Sequence, residues 1–272
     1  MIPSATSGSR PRLDNETAVP RQQDKLSAAE KTLSVLEAML EEPRFSDVVA
    51  ATGLAKATVH RLLATLSARG FVTICGDGTY IAGPKIFALA GQASRSNRLL
   101  EIAEPLLDEL VARTGCTAHL GTLNGDRAIY TMKMEAPDKP YQMPSRVGGE
   151  IPLNSSGIGK AILSGFSPEQ FDRYLAESEL VSRTMNSIHS AKALRTEIEL
   201  TRRRGYALDA EENVPGVICV AAPIYDNYGR VLNAVSISTI TLEWTLADLE
   251  NLAPFVVTCA SRISDAIGYY RG

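Results

Sequence analysis

From Leu26 onward the apolar side chains recur at Ala29, Leu33, Leu36 and Leu40, three or four residues apart, which predicts an amphipathic helix that Pro43 closes. Ser46 is placed to cap a short second helix over residues 47–52, and Gly53, free to take left-handed backbone angles, predicts a sharp turn after it. A third helix follows directly. Val59, Leu62, Leu63 and Leu66 form its apolar stripe, Gly70 stands where a C-terminal cap belongs, and Lys56, Thr58, Arg61 and Thr65 share the outward face. After Gly70 the helical period gives way to alternation. Residues 71–74 and 79–82 read as two strands joined across Cys75-Gly76-Asp77-Gly78.

Gly83-Pro84 breaks that block, and a helix-like run over residues 85–90 leads into a polar stretch, residues 91–97, that predicts a linker. A longer helix over residues 98–114 carries Leu99, Ile102, Leu106 and Leu110 on one side; Pro105 either kinks it or divides it in two. Alternating residues 116–123 and 127–134 flank Asn124-Gly125-Asp126, the clearest hairpin in the chain. Irregular chain with four prolines follows, then a helix over residues 156–163. Ser167-Pro168-Glu169-Gln170 is a capping box with proline at the first helical position, and residues 191–204 form a helix stopped by Gly205. Strands return over residues 206–209, 217–224 and 231–239, and Thr245 with Asp248 begins a closing helix reaching about residue 270. Residues 1–25, with Pro3, Pro11 and Pro20 and few large apolar side chains, predict a flexible tail.

The 272 residues are comfortable for two domains, and 44% hydrophobic against 22% charged residues is ordinary for a chain that buries a core. Four dispersed cysteines, none in a C-x-x-C pair, point away from a disulfide scaffold or zinc ribbon and toward a reducing cytosol. No stretch approaches the roughly 18 apolar residues of a membrane helix, and the N-terminal segment lacks the apolar core of a secretion signal, so a cytoplasmic protein is expected. The formal charge of −3 excludes a uniformly basic surface, yet residues 44–95 carry six basic and two acidic side chains, a local +4 against −7 elsewhere. A cationic helix after a glycine turn, followed by a hairpin, fits a winged helix-turn-helix that enters the DNA major groove. Arg61 suits a bidentate base contact, Lys56 and Thr58 a phosphate or base near the helix start, with His60, Thr65 and Arg44 as further contacts. A single basic side chain would more often only solvate a surface; the combination is what points to DNA.

A second constellation has different chemistry. Asn154-Ser-Ser-Gly-Ile-Gly159 leads into a helix start whose N–H groups and dipole favour an anion such as a carboxylate. Ser236 and Ser238 project from one face of a strand, Cys219 and Val217 from a neighbouring strand, and Asp209 sits where a strand passes into a loop. Taken singly, each has a plain structural explanation: a solvated serine, a small core cysteine, a loop carboxylate.

Residues 53–70, GLAKATVHRLLATLSARG, resemble the helix-turn-helix of the IclR family of bacterial transcriptional regulators. Residues 147–163, VGGEIPLNSSGIGKAIL, and 205–224, GYALDAEENVPGVICVAAPI, resemble that family's two effector-domain signatures, so the likeness spans about residues 26–270. It implies that Gly157, Ile158, Asp209, Val217, Cys219, Ser236 and Ser238 line an effector pocket. Tyr141 and Met143, in the loop before Val147, are expected to close over it and set its size. The family often has His where this chain has Asn154, and Thr-Ala where it has Ser155-Ser156, a departure that bears on which effector is bound.

Rival classes are weaker. Gly157-x-Gly159-Lys160 fails the phosphate-loop rule at Asn154 and Ala161, there is no G-x-S-x-G elbow, and His60, His119 and His189 lack a nucleophile partner. Cys116 and His119, three apart on a strand, point to opposite faces and so do not share a metal. An enzyme acting on a small carboxylate, with the N-terminal domain as a DNA or protein tether, is the alternative; a winged helix that binds protein is a third.

The expected architecture is α+β: a winged helix-turn-helix domain over residues 26–90, a linker and helix over 91–114, and a GAF-like effector-binding domain with an antiparallel sheet over 115–272. The expected partners are a near-palindromic double-stranded DNA operator, a small oxo-, sugar or aromatic acid, and further copies of the chain in a homodimer or homotetramer. No cofactor, metal or membrane partner is expected.

Overall fold

The computed structural model describes residues 26–137 and 139–269, without the side chains of residues 94–96, so the tail expected over residues 1–25 lies outside it. The chain divides into two units, the first running to Ala93 and the second from Ser94.

In the first unit, helix α1 (Ala28–Glu41) begins at a capping box in which Ser27 and Glu30 each accept the other's backbone N–H. Its core face is Val35 and Met39, packed with Val48, Val59, Leu63 and Val72. The stripe expected from Ala29, Leu33 and Leu40 is thereby corrected: Leu33 and Leu40 lie outside, 56% and 52% exposed. The helix carries two adjacent apolar rows, and periodicity alone does not choose between them. Helix α2 (Phe45–Thr52) starts two residues before expectation, because Phe45 is drawn against the core; Arg44 occupies the cap position and Ser46 only bonds Asp47. Gly53 takes φ 62° in the turn, and α3 (Lys56–Ala68) follows. Strands β1 (Val72–Ile74) and β2 (Tyr80–Ala82) pair as the expected hairpin. Helix α4 (Pro84–Ser96) runs straight through the polar stretch read as a linker, and the boundary between the units falls inside it.

The second unit opens with α5 (Arg98–Thr114), which is one helix despite Pro105. Strands β3 (Thr117–Asn124), β4 (Arg127–Met134), β5 (Glu150–Pro152), β6 (Ala207–Ala210), β7 (Val217–Tyr225) and β8 (Val231–Ile240) form an antiparallel sheet in the order β5-β4-β3-β8-β7-β6. The three-residue β5 was not anticipated. On one face α5, with α9 (Leu246–Glu250) and α10 (Ala253–Ala266), packs on Leu120, Val220, Val235 and Ile237. The closing helix is therefore two helices: Pro254, lacking an N–H and clashing with the preceding turn, cannot continue α9, so the chain restarts. On the other face α6 (Gly157–Ser164), α7 (Pro168–Glu177) and α8 (Ala191–Arg204) build a second core around Ile158, Ile162, Phe171, Leu194 and Ile198. Both the capping box at Ser167 and the stop at Gly205 stand where the sequence put them.

Candidate functional site

Helix α3 contains no acidic side chain and exposes Lys56, His60, Arg61 and Thr65, while Thr58 is half-buried. Thr65 donates its hydroxyl to the Arg61 carbonyl, and His60 stands edge-on to Phe45 with ring centroids 6.4 Å apart, so both side chains are steadied from within the unit. No side chain caps the start of α3, where the Thr58 and Val59 N–H groups both donate to the Ala55 carbonyl. Arg44, exposed at the start of α2, lies near enough to Asp77 of the hairpin turn to stabilise its charge. Asp77 is held below the usual carboxylate range mainly by its bonds from Thr79.

The second candidate is a face of the six-stranded sheet. Strand register aligns Thr117, Ser238, Cys219 and Asp209 across four strands, and the next row holds Lys133, His119, Ser236 and Ala221. Directly opposed residues point to the same side, so these form one polar floor. Helix α6 lies on it: a β-carbon at Gly157 would fall 2.8 Å from Cys219 Sγ and 3.3 Å from Ala221 Cβ, so only glycine permits this approach. Ile158 rests against Gly121 of β3, and half-buried Val217 continues the Cys219 side toward the sheet end.

The helix start is not the exposed anion site that the sequence suggested. Residues 154–159 are all buried, and Ser156 caps α6 by accepting the Gly159 N–H while donating to the Pro152 carbonyl. Asn154 donates to the carbonyls of Val181 and Ile188, clamping that loop. Met143 is buried, and its carbonyl with that of Ser145 accepts from Lys133 Nζ at 3.0 and 2.8 Å, which ties its loop to the polar floor. Tyr141 does not close over the floor. Its hydroxyl donates to Glu243 and lies 3.3 Å from Thr239 Oγ1, a residue that alternates with Ser238 and so faces away.

Burial dominates the electrostatics. Asp209, 4% exposed, is raised to about 7 by burial and by the Glu212 carboxylate, against the pull of Lys160. The Cys219 thiol is pushed up to about 12 by burial and by Asp209, so it stays protonated. His119 falls to about 3 through burial and the Lys133 charge, so its imidazole is neutral. Lys160, 1% exposed, pairs with Glu212 and lies 3.8 Å from Glu197. Among the described residues, His119 Nδ1, Asn154 Oδ1, Ser155 Oγ and Glu212 Oε2 are buried polar atoms without a partner in this neighbourhood. Buried polar atoms are nearly always satisfied, and such a concentration suits a ligand that supplies the missing bonds.

His119 and the Lys160–Glu212 pair were missed as site residues. A lone lysine inside the apolar run GIGKAILS was a usable signal for the second. Nothing local announces that His119 stands opposite Ser236. Among the described residues no group of three His, Cys, Asp or Glu side chains is arranged to hold a metal, and no helix is long and apolar enough to cross a membrane.

The IclR helix-turn-helix domain model matches residues 28–73, and the model for the bacterial transcriptional regulator IclR C-terminal region matches residues 91–265. The HTH-type transcriptional regulator KdgR of Dickeya chrysanthemi is 32% identical over 255 residues, 92% of this chain and 83% of the relative. The HTH-type transcriptional regulator XynR of Escherichia coli (strain K12) is 32% identical over 248 residues, 90% of this chain and 98% of the relative. The crystal structure of the Thermotoga maritima IclR matches with a TM-score of 0.71 at 30% identity, covering 89% of this chain and 98% of that one.

Proposed function

Since the chain belongs to the IclR family of bacterial transcriptional regulators, and is a ligand-responsive DNA-binding protein rather than an enzyme, we propose that it couples a near-palindromic operator to a small organic acid. Residues 26–90 read the DNA, residues 91–114 connect, and residues 115–272 sense the effector, in the cytosol. The DNA contacts are Lys56, Thr58, His60, Arg61, Thr65 and Arg44, with Arg61 reading a base and Lys56 a phosphate. Two copies, or a tetramer of two such pairs, match the two-fold symmetry of the operator.

The observation that carries the sensor half is the buried polar floor beneath the start of α6, with the unpartnered His119 Nδ1 on it and the unpartnered Asn154 Oδ1, Ser155 Oγ and Glu212 Oε2 in the segments that border it. Gly157 and Ile158 offer backbone N–H groups to the acid's carboxylate. Ser236, Ser238, Cys219 and Asp209 contact its oxygens, and Val217 and Met143 bound its apolar side. Oxo-, sugar and aromatic acids all fit that description. Effector binding alters DNA affinity only by its differential affinity for two states of the protein, here by ordering the loops over the floor and changing the separation of paired α3 helices.

Gel-shift titration of the full chain on its operator, with and without acid, tests both halves. Arg61→Ala should weaken operator binding by about 1–3 kcal/mol. Ser236→Ala with Ser238→Ala should leave DNA binding in place and abolish release by the acid. Full operator affinity in the first variant, or an unchanged response in the second, would remove those residues from their roles.

A further inference from the structure

Asp209 on the polar floor forms no ion pair among the described residues: Lys160 draws on its charge but bonds Glu212, and Lys133, the floor's other cation, bonds the Met143 and Ser145 carbonyls and pairs with Glu135 at 2.7 Å. Among the described residues, the buried ionisable groups of this neighbourhood are Lys160 of α6, Asp209 of β6, Glu212 of the loop after it, the neutral His119 of β3 and the thiol of Cys219. The Lys160 ammonium bonds Glu212, with Glu197 of α8 at 3.8 Å, and Glu197 is itself bonded to Arg204. Asp209 receives instead the backbone N–H groups of Glu212, at 2.7 Å, and Asn213, at 3.4 Å, and both go to Oδ1. Its other neighbours are Cys219, directly opposite on β7, and Tyr130 of β4, which feels its charge together with that of Arg183. An effector carboxylate at the start of α6 would bring a second negative charge beside Asp209, because α6 sits on Cys219.

Resting on the effector reading above, we propose that the acid enters as its carboxylate together with one proton from solvent, which settles on Asp209 Oδ2 and is shared with the effector. Two carboxylates in one buried site cannot both stay ionised, and a protonated Asp209 turns repulsion into a hydrogen bond. The value of about 7 for Asp209 without effector puts this exchange within the pH range of a living cell. The sign follows from linkage. Below about pH 7 Asp209 already carries the proton and affinity is flat; above it each effector must bring one, and affinity falls as pH rises.

The probes are pyruvate, gluconate and benzoate, one from each acid class. Calorimetric titration of the full chain in buffers of different ionisation enthalpy counts the protons taken up. The expected result at pH 8 is close to one proton per effector, at pH 6 a small fraction, and a Kd that weakens about tenfold per pH unit above 7. Asp209→Asn, whatever its affinity, should take up no proton and give a Kd that does not change from pH 6 to 8.5. Uptake that persists in Asp209→Asn overturns the assignment. So does an acid that binds wild type, is lost in the Ser236→Ala, Ser238→Ala double variant, and takes up no proton at pH 8. If none of the three acids binds at pH 6, the small-acid reading itself fails and the proton linkage falls with it.

Discussion

His119 is a buried imidazole with one nitrogen engaged and one not. Nε2 lies 2.7 Å from Ser145 Oγ, its ring centroid lies 4.9 Å from that of Tyr130, and Nδ1 meets no partner. Its pKa of about 3 lies below the ordinary 6.5, so the folded state resists protonation. The stability gained by keeping it neutral is complete above the unfolded value and is lost as pH falls through the window between the two. His119→Gln, which retains a polar partner for Ser145, should therefore show a shallower fall in melting temperature from pH 6.5 to 4.5 than wild type. This group accounts for on the order of 2 kcal/mol of that loss. Parallel melting curves would rule out a buried neutral His119. Asp209 works in the opposite sense, its raised pKa favouring the folded state as pH falls below about 7. Neighbouring residues on one floor thus impose opposed pH dependences.

Helix α6 is the element on which the second site depends, and it is buried from Gly157 to Leu163. A buried helix can lie flat on a sheet only where side chains at the contact are small. Gly157 supplies that at Cys219 and Ala221. Gly157→Ala should cost about 1–3 kcal/mol through overpacking, and Cys219→Ala, by removing the sulfur that the new methyl meets, should relieve part of the cost. Denaturant unfolding of the two single variants and the double variant measures the coupling; strictly additive losses would mean that α6 does not bear on β7 as described. Helix α1 teaches the complementary lesson, since its two apolar rows leave Leu33 and Leu40 outside while Val35 and Met39 make the core.

For the whole molecule, the formal charge of −3 conceals a basic reading head within an acidic remainder. Association with DNA should then be steered locally and be sensitive to salt, because each neutralised phosphate releases counterions. Lys56→Ala should reduce the slope of log affinity against log salt by about 0.9 and weaken specific and non-specific DNA alike. An unchanged slope would take Lys56 off the phosphate backbone. The same substitution should leave effector binding as it is, since Lys56 belongs to the first unit and the polar floor to the second.

Several features that depend only on neighbouring residues were settled by the sequence, although the cap read at Ser46 was not one of them. The capping box at Ser167, the stop at Gly205, the turn at Gly53 and both hairpins follow from local backbone chemistry, and all stand where read. The break before Pro254 was equally legible but went unread. Only the tertiary structure decided which row of α1 faces inward, that β5 pairs with β4, and that residues 154–159 lie buried. It also decided that His119, Ser236, Cys219 and Asp209 share one floor, because strand register pairs residues as far apart in sequence as His119 and Ser236 and no local period records it. Whether a carboxylate such as Asp209 keeps its charge depends on what the fold packs around it, so its chemistry belongs to the fold rather than to the residue.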